Sequence, residues 1–374
     1  MTVRRVTTRI PQSDYDVIMV LNLADIEREA LTKLPQNARE YYLGGAADEI
    51  TIADNRRAFD DIALLPRVLR DVSERSLRTT LLSTPFSMPI GIAPTAMQRL
   101  AHTDGEIATA RAAAKMEVPM ILSTTSTIAL EDVASVPGVS LWFQVYVYKD
   151  REVTRELAQR AAAVGCQALV LTIDTPYLGK REREARVGFH LPPGLDLPNY
   201  RALGSTRVLA SDGESGLARH FTENIDTALT WKDVEWLQNV SGLPVVVKGI
   251  LRSDDALQAV HHGAAGVIVS NHGGRQLDTA LATIGALPAI TEAVGGAMDV
   301  MLDGGVRRGT DILKALALGA KAVFLGRPIL WGLAYDGEKG VQRVLEILRD
   351  EFDLAMALCG CRNLEEITND LLAQ

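Results

Sequence analysis

The sequence predicts an α/β fold, a closed (β/α)8 or TIM barrel, from three observations. Eight short apolar runs recur through its middle, over roughly the length such a barrel needs. Helical stretches rich in Ala, Leu, Glu and Arg lie between most of them, which implies parallel strands joined by right-handed crossovers. No G-x-G-x-x-G follows the first run, which counts against the structural rival, a doubly wound open sheet.

In chain order, residues 1 to about 20 read as frayed. Ala24–Leu31 and Pro35–Tyr42 read as short helices, the second ended by Gly44-Gly45. Ile52–Phe59 is a third, followed by irregular chain to about residue 85. The apolar runs are Pro89–Ala93, Pro119–Leu122, Leu141–Val147, Ala168–Ile173, Pro244–Val247, Gly266–Val269, Val300–Leu302 and Ala322–Leu325. Intervening helices include Gly105–Lys115, Arg151–Val164 and Asp311–Leu318. The rhythm breaks after the fourth run, where residues 176 to about 230 carry Pro192-Pro193-Gly194, Pro198 and the polar tract Ser211–Ser215. So long a connection marks a lid or a segment without order, and its departure from a barrel's C-terminal face favours a lid. The helix resumes at Trp231-Lys232-Asp233. One domain results: an N-terminal helical segment over 1–85, a barrel over 86–335 with a lid at about 176–230, and C-terminal helices over 336–374.

Composition bounds the partners. A net charge of -8 with scattered Lys and Arg argues against nucleic acid, and Lys180-Arg181-Glu182-Arg183-Glu184 mixes signs too evenly for a polybasic arm. Three cysteines fit a reducing compartment, and Cys359-Gly360-Cys361 is too isolated for zinc, so no metal is expected. No run resembles a signal peptide or approaches the ~20 apolar residues of a membrane span. A soluble, cytoplasmic protein is the expectation.

Barrels of this kind place chemistry at the C-terminal strand ends. After the eight runs come Pro94-Thr95-Ala96, Ser123-Thr124-Thr125, Gln144 with Tyr146, Thr172 with Asp174, Lys248-Gly249, Ser270 to Arg275, Asp303 to Arg307, and Gly326-Arg327. Val267-Ile268-Val269 delivers His272 and, past Gly273-Gly274, Arg275. An imidazole is the usual base near neutral pH, and a guanidinium grips a carboxylate with two prongs. Together they suggest proton abstraction from a small carboxylic acid; the plain reading is a polar loop with a capping His. Asp303 is a candidate partner for His272, or a cap for the next turn. The Gly-rich turns at Gly304-Gly305 and Gly326, with Arg307 and Arg327, suit a phosphate, or simply make tight turns. Lys248 would be costly to bury unpaired, so it either faces a negative charge or acts as a Schiff-base amine. Tyr41, before the Gly44-Gly45 break, either packs or reaches into the site.

At these residues the chain resembles the FMN-dependent L-2-hydroxy-acid oxidase and dehydrogenase family, of glycolate oxidase and L-lactate oxidase type. The resemblance rests on S-N-H-G-G-R-Q-L-D at 270–278, P-I-G-I-A-P-T-A-M-Q at 89–98, W-F-Q-V-Y at 142–146 and L-D-G-G-V-R-R-G-T-D at 302–311, and runs from about residue 24 to 365. It implies that His272 takes the substrate hydroxyl proton while Asp303 steadies it. Arg275 and Arg181 would hold the substrate carboxylate, with Tyr41 and Tyr146 bonding the carboxylate and the hydroxyl or keto oxygen. Lys248 would support the reduced flavin, which favours charge stabilisation over a Schiff base. Pro94, Thr95, Ala96, Ser123, Gln144, Thr172, Ser270, Asp303 and Gly304 would line FMN, and Gly305, Arg307, Gly326 and Arg327 would bind its phosphate. A homotetramer or octamer is implied too.

Plant glycolate oxidases carry Trp where Thr125 stands, so a wider pocket favouring L-lactate over glycolate is expected. Some relatives carry an apolar membrane segment in the long fourth connection or an added haem domain, and neither is expected here. That favours O2 as acceptor, with H2O2 formed, over a quinone or carrier. An isomerase barrel or a non-catalytic phospholigand-binding barrel would share the phosphate turns without needing His272 and Arg275 together.

Overall fold

Eight parallel strands close into a barrel in the order β10-β3-β4-β5-β6-β7-β8-β9. These are β3 (Ile90–Ile92), β4 (Pro119–Ser123), β5 (Ser140–Val145), β6 (Leu169–Thr172), β7 (Val245–Ile250), β8 (Gly266–Val269), β9 (Asp299–Asp303) and β10 (Ala322–Leu325). The computed structural model describes residues 20–203 and 223–373. The expectations for residues 1–19 and for Ser211–Ser215 lie outside those residues.

The strands are apolar throughout because both faces are buried. Alternate residues Ile121, Trp142, Val170, Val246, Ile268, Met301 and Phe324 fill the barrel interior. Their neighbours, such as Leu122, Phe143, Leu171, Val247, Val269 and Leu302, face the helix layer. Gly91 on β3 leaves room for this filling, since a Cβ there would stand 2.4 Å from the Phe324 ring.

A hairpin, β1 (Thr79–Leu81) and β2 (Thr84–Phe86), occupies chain expected to be irregular. Three-residue strands with Pro85 inside offer no alternation to read. Leu81 and Phe86 join the inner cluster, and Leu82 N donates to Asp299 Oδ2 (2.9 Å) at the start of β9. The hairpin therefore stops the N-terminal end of the barrel.

Helices Leu23–Lys33, Gln36–Leu43 and Ile50–Asp60 precede the hairpin. The last is tied to the C-terminal face of the barrel: Asn55 and Asn271 exchange side-chain amide bonds (2.9 and 2.8 Å), and Arg56 donates to Gly305 O and Asp311 Oδ2. The closing helix runs from Arg327 to Leu358 with a bend at Asp336 and Gly337, so it starts before residue 336. Of the long connection after β6, the described part holds a short helix, Glu182–Arg186, and a 3-10 stretch, Pro198–Leu203. Asn199 latches that stretch to the chain beyond β4, accepting from Leu130 N (3.0 Å) and donating to Ser126 Oγ (2.8 Å) and Thr124 O (3.3 Å). No helix among the described residues is long and apolar enough to cross a membrane.

Candidate active site

A cavity of about 1260 Å³, counting its open mouth, lies over the C-terminal strand ends. Every residue to which the family resemblance assigns a role lines it except Ser270, which is fully buried beneath. Ser270 Oγ instead accepts from Lys248 Nζ (2.9 Å) and from His272 N (3.1 Å), so it braces the wall from behind.

His272 sits on the turn after β8 in the left-handed region (φ 57). Its Nδ1 is 2.8 Å from Asp174 Oδ1, an oxygen that also accepts from Thr175 Oγ1 at 2.9 Å. Nδ1–H donating to that carboxylate leaves the lone pair on Nε2. Burial pushes the imidazole below its ordinary value against the opposing pull of Asp174, while Lys248 and Arg181 lower it further. Burial works to raise Asp174, but His272, Lys248 and Thr175 outweigh it and hold the carboxyl low. The resting pair is a neutral base on an ionised carboxylate.

This corrects the expectation for Asp303. Its Oδ2 pairs with Lys248 Nζ at 3.2 Å across the barrel interior, both groups buried, and the imidazole's carboxylate is Asp174. The reason lies in β7: its register against β8 slips between Lys248 and Ile250, at Gly249 (φ 114). A Cβ on Gly249 would stand 2.7 Å from Asp174 Cβ, so the bulge makes the space that lets Asp174 sit under the ring. Lys248 keeps a paired charge, as the electrostatic reading requires.

Arg275 and Arg181 share one counter-ion that the sequence reading missed. Glu184 Oε1 is 3.1 Å from Arg275 and 3.5 Å from Arg181, with its side chain only 4% exposed. Three residues beyond Arg181 on a helical turn, it lies in the run whose mixed signs speak only against a polybasic arm and point to no pairing. Arg275 also donates to Tyr41 O (2.8 Å) and Gly44 O (2.6 Å), and its guanidinium stands 5.0 Å over the Tyr41 ring. Tyr41 stacks on Phe189 at 4.4 Å, another residue of the long connection. Burial raises the Tyr41 and Tyr146 hydroxyls above their ordinary value, so both remain protonated donors. Thr125 Oγ1 lies 2.9 Å from Tyr200 OH.

At the other end, burial pushes Arg307 down to about 10 and Arg327 down to about 9. Among the described residues neither has an ion-pair partner: Arg307 donates to Val306 O, and Arg327 to Tyr42 O, Gly273 O and Gly44 O. Two half-buried guanidiniums with no ion-pair partner among the described residues, beside the Gly304-Gly305 turn, call for an anion. Along the cavity wall, Gln144 Nε2 and Asp303 Oδ1 are buried with no hydrogen-bond partner among the described residues. Gln144 Oε1 accepts from Thr124 N (3.1 Å), which turns the amide's donor end outward. An unmet donor, an unmet acceptor and two unmet cations fit FMN, whose ring edge carries both kinds of polar group and whose phosphate is anionic.

Residues 30–374 match the model of a family described as FMN-dependent dehydrogenase. The chain is 52% identical over 357 residues to an L-lactate oxidase of Nostoc sp., covering 94% of this chain and 98% of the relative. It is 52% identical over 353 residues to 2-hydroxyacid oxidase 1 of Homo sapiens (93% and 95% covered) and 50% identical over 355 residues to a glycolate oxidase of Spinacia oleracea (95% and 96% covered). Among solved structures, a mandelate oxidase with (S)-4-hydroxymandelic acid matches with a TM-score of 0.90 at 40% identity, covering 95% of this chain and 98% of that one.

Proposed function

Because the chain belongs to the FMN-dependent dehydrogenase family and is of 2-hydroxy-acid oxidase type, we propose that it converts L-lactate and O2 to pyruvate and H2O2. The curated relatives act on different acids at nearly equal identity, so similarity does not choose between them. Thr125 carries the choice: it lines the cavity with a small side chain, which leaves more room beyond the CH2 of glycolate than a large aromatic would.

When bound, FMN supplies the two-electron acceptor for the α-C–H bond. The chain's own part is positioning and proton transfer. Arg275 and Arg181, one charge of the two offset by Glu184, hold the substrate carboxylate. His272 Nε2 takes the hydroxyl proton, and Asp174 stabilises the imidazolium that forms. Tyr146 and Tyr41 donate to the substrate oxygens, and Lys248 presents a cation to negative charge gathering on the cofactor.

Anaerobic addition of L-lactate should bleach the flavin, and air should restore it with release of peroxide. Bleaching without rapid recovery would reassign the acceptor to a quinone or carrier. A kcat/KM for glycolate above that for L-lactate would end the lactate assignment.

A further inference from the structure

We infer that Tyr200 sets the polarity of the substrate's side-chain pocket by occupying the hydroxyl of Thr125. The inference rests on the 2-hydroxy-acid reading above and specifies which group on C3 of the substrate the pocket accepts.

Thr125 stands in the cavity wall just past β4. Its hydroxyl points away from the cavity to Tyr200 OH, 2.9 Å off, in a pair where both residues are buried. Tyr200 lies behind that wall with 1% of its surface exposed and packs edge-on against Tyr148 (centroids 5.9 Å apart, planes at 70°). The residue before it is Asn199, whose amide clamps the same chain stretch at Thr124, Ser126 and Leu130. A stretch of the long connection is thus docked onto the loop that bears the wall residue.

The Cβ of a threonine carries one hydroxyl and one methyl. With the hydroxyl turned back to Tyr200, the methyl is what remains for the substrate. Turning the hydroxyl forward would give up the 2.9 Å bond that the two buried hydroxyls share, a loss that is costly away from water. The wall therefore reads as apolar although two hydroxyls build it. It suits the CH3 of L-lactate or the ethyl of L-2-hydroxybutyrate. The CH2OH of L-glycerate would lose its water there and gain no partner. Tyr200 touches no substrate atom; it is a positioning residue acting through Thr125.

The test compares kcat/KM for L-lactate, L-2-hydroxybutyrate and L-glycerate in the FMN-loaded wild type, Tyr200→Phe, and Tyr200→Phe with Thr125→Val. Wild type should prefer L-2-hydroxybutyrate to its near-isostere L-glycerate by roughly 10- to 100-fold, the range over which an apolar pocket discriminates against an added hydroxyl. Tyr200→Phe frees the Thr125 hydroxyl to meet the C3 hydroxyl, and should move the glycerate-to-lactate ratio toward glycerate by about tenfold. Adding Thr125→Val should return that ratio to the wild-type value, which loosened packing alone would not do. Equal wild-type rates on the isosteric pair, an unmoved ratio in Tyr200→Phe, or a gain that survives Thr125→Val would each overturn the inference. Anaerobic bleaching by L-lactate is recorded in parallel. Bleaching with an unmoved ratio removes only the role of Tyr200, whereas wild-type flavin that no 2-hydroxy acid bleaches removes the substrate reading and this inference with it.

Discussion

His272 and Asp174 divide the labour that the sequence reading assigned to His272 and Asp303. Asp174 follows β6 and Asp303 ends β9, and both are visible in the sequence as strand-end residues. Which of them reaches the imidazole depends on a bulge in a third strand, and no spacing along the chain encodes that. Asp174→Asn should therefore lower kcat/KM by roughly 10²–10⁴-fold, the usual scale of general-base catalysis. Since Asp174 raises the imidazole's pKa, its loss should also move the acid limb of the kcat/KM profile to lower pH. Asp303→Asn acts through Lys248, so it should leave that limb in place; a shifted limb would argue against the assignment. In the wild type the limb belongs below the ordinary imidazole value of 6.5, because burial favours the neutral ring. The sign for folding is the same: a depressed pKa adds stability above pH 6.5 that is lost as pH falls through the folded value. Thr125→Trp should move the glycolate-to-lactate ratio of kcat/KM toward glycolate, by about 10- to 200-fold per methyl excluded.

At the scale of elements, the eight barrel strands were legible because burial on both faces writes a continuous apolar run. The hairpin was not, because its strands are three residues long and its turn is made by Leu82 (φ 48) and Ser83 (φ 66), neither a turn-marking glycine. The apolar run ends the fifth barrel strand at Val247, yet β7 continues to Ile250. Gly249 makes that extension possible. Gly249→Ala should cost about 1–3 kcal/mol in backbone strain alone, beyond the push on Asp174, and appear as a lower unfolding temperature together with a lower kcat. The turns after β9 and β10 carry the phosphate expectation. Arg307→Met should weaken FMN binding by roughly 10- to 100-fold, as for a lost hydrogen bond between charged groups. It should leave the affinity for riboflavin, which has no phosphate, nearly unchanged. Fluorescence titration of the apoprotein with both flavins checks this, and equal losses for the two would place Arg307 away from the phosphate.

Over the whole molecule, the N-terminal helices are part of the site rather than an appendage. Helix Ile50–Asp60 locks onto the loop bearing His272 through the Asn55–Asn271 exchange, and it meets the turn after β9 through Arg56 and Gly305, where a Cβ would stand 2.1 Å from Asn55 O. The helix was readable from its pattern, but its docking was not, since two asparagines some 200 residues apart carry no periodic signal. Asn55→Ala should cost about 1–3 kcal/mol by leaving the Asn271 amide short of a partner in a buried place, and FMN should dissociate faster. Calorimetry and the loss of flavin absorbance on dilution measure both.

The stopper formed by Leu81 and Phe86 has a consequence for traffic. With its interior filled and its far end stopped by apolar side chains, the barrel offers the cavity over its C-terminal strand ends as the doorway for cofactor and reactant alike. A small dicarboxylate parked at Arg275 and Arg181 should then slow the escape of FMN without touching it, as a person standing in a doorway delays everyone still in the room.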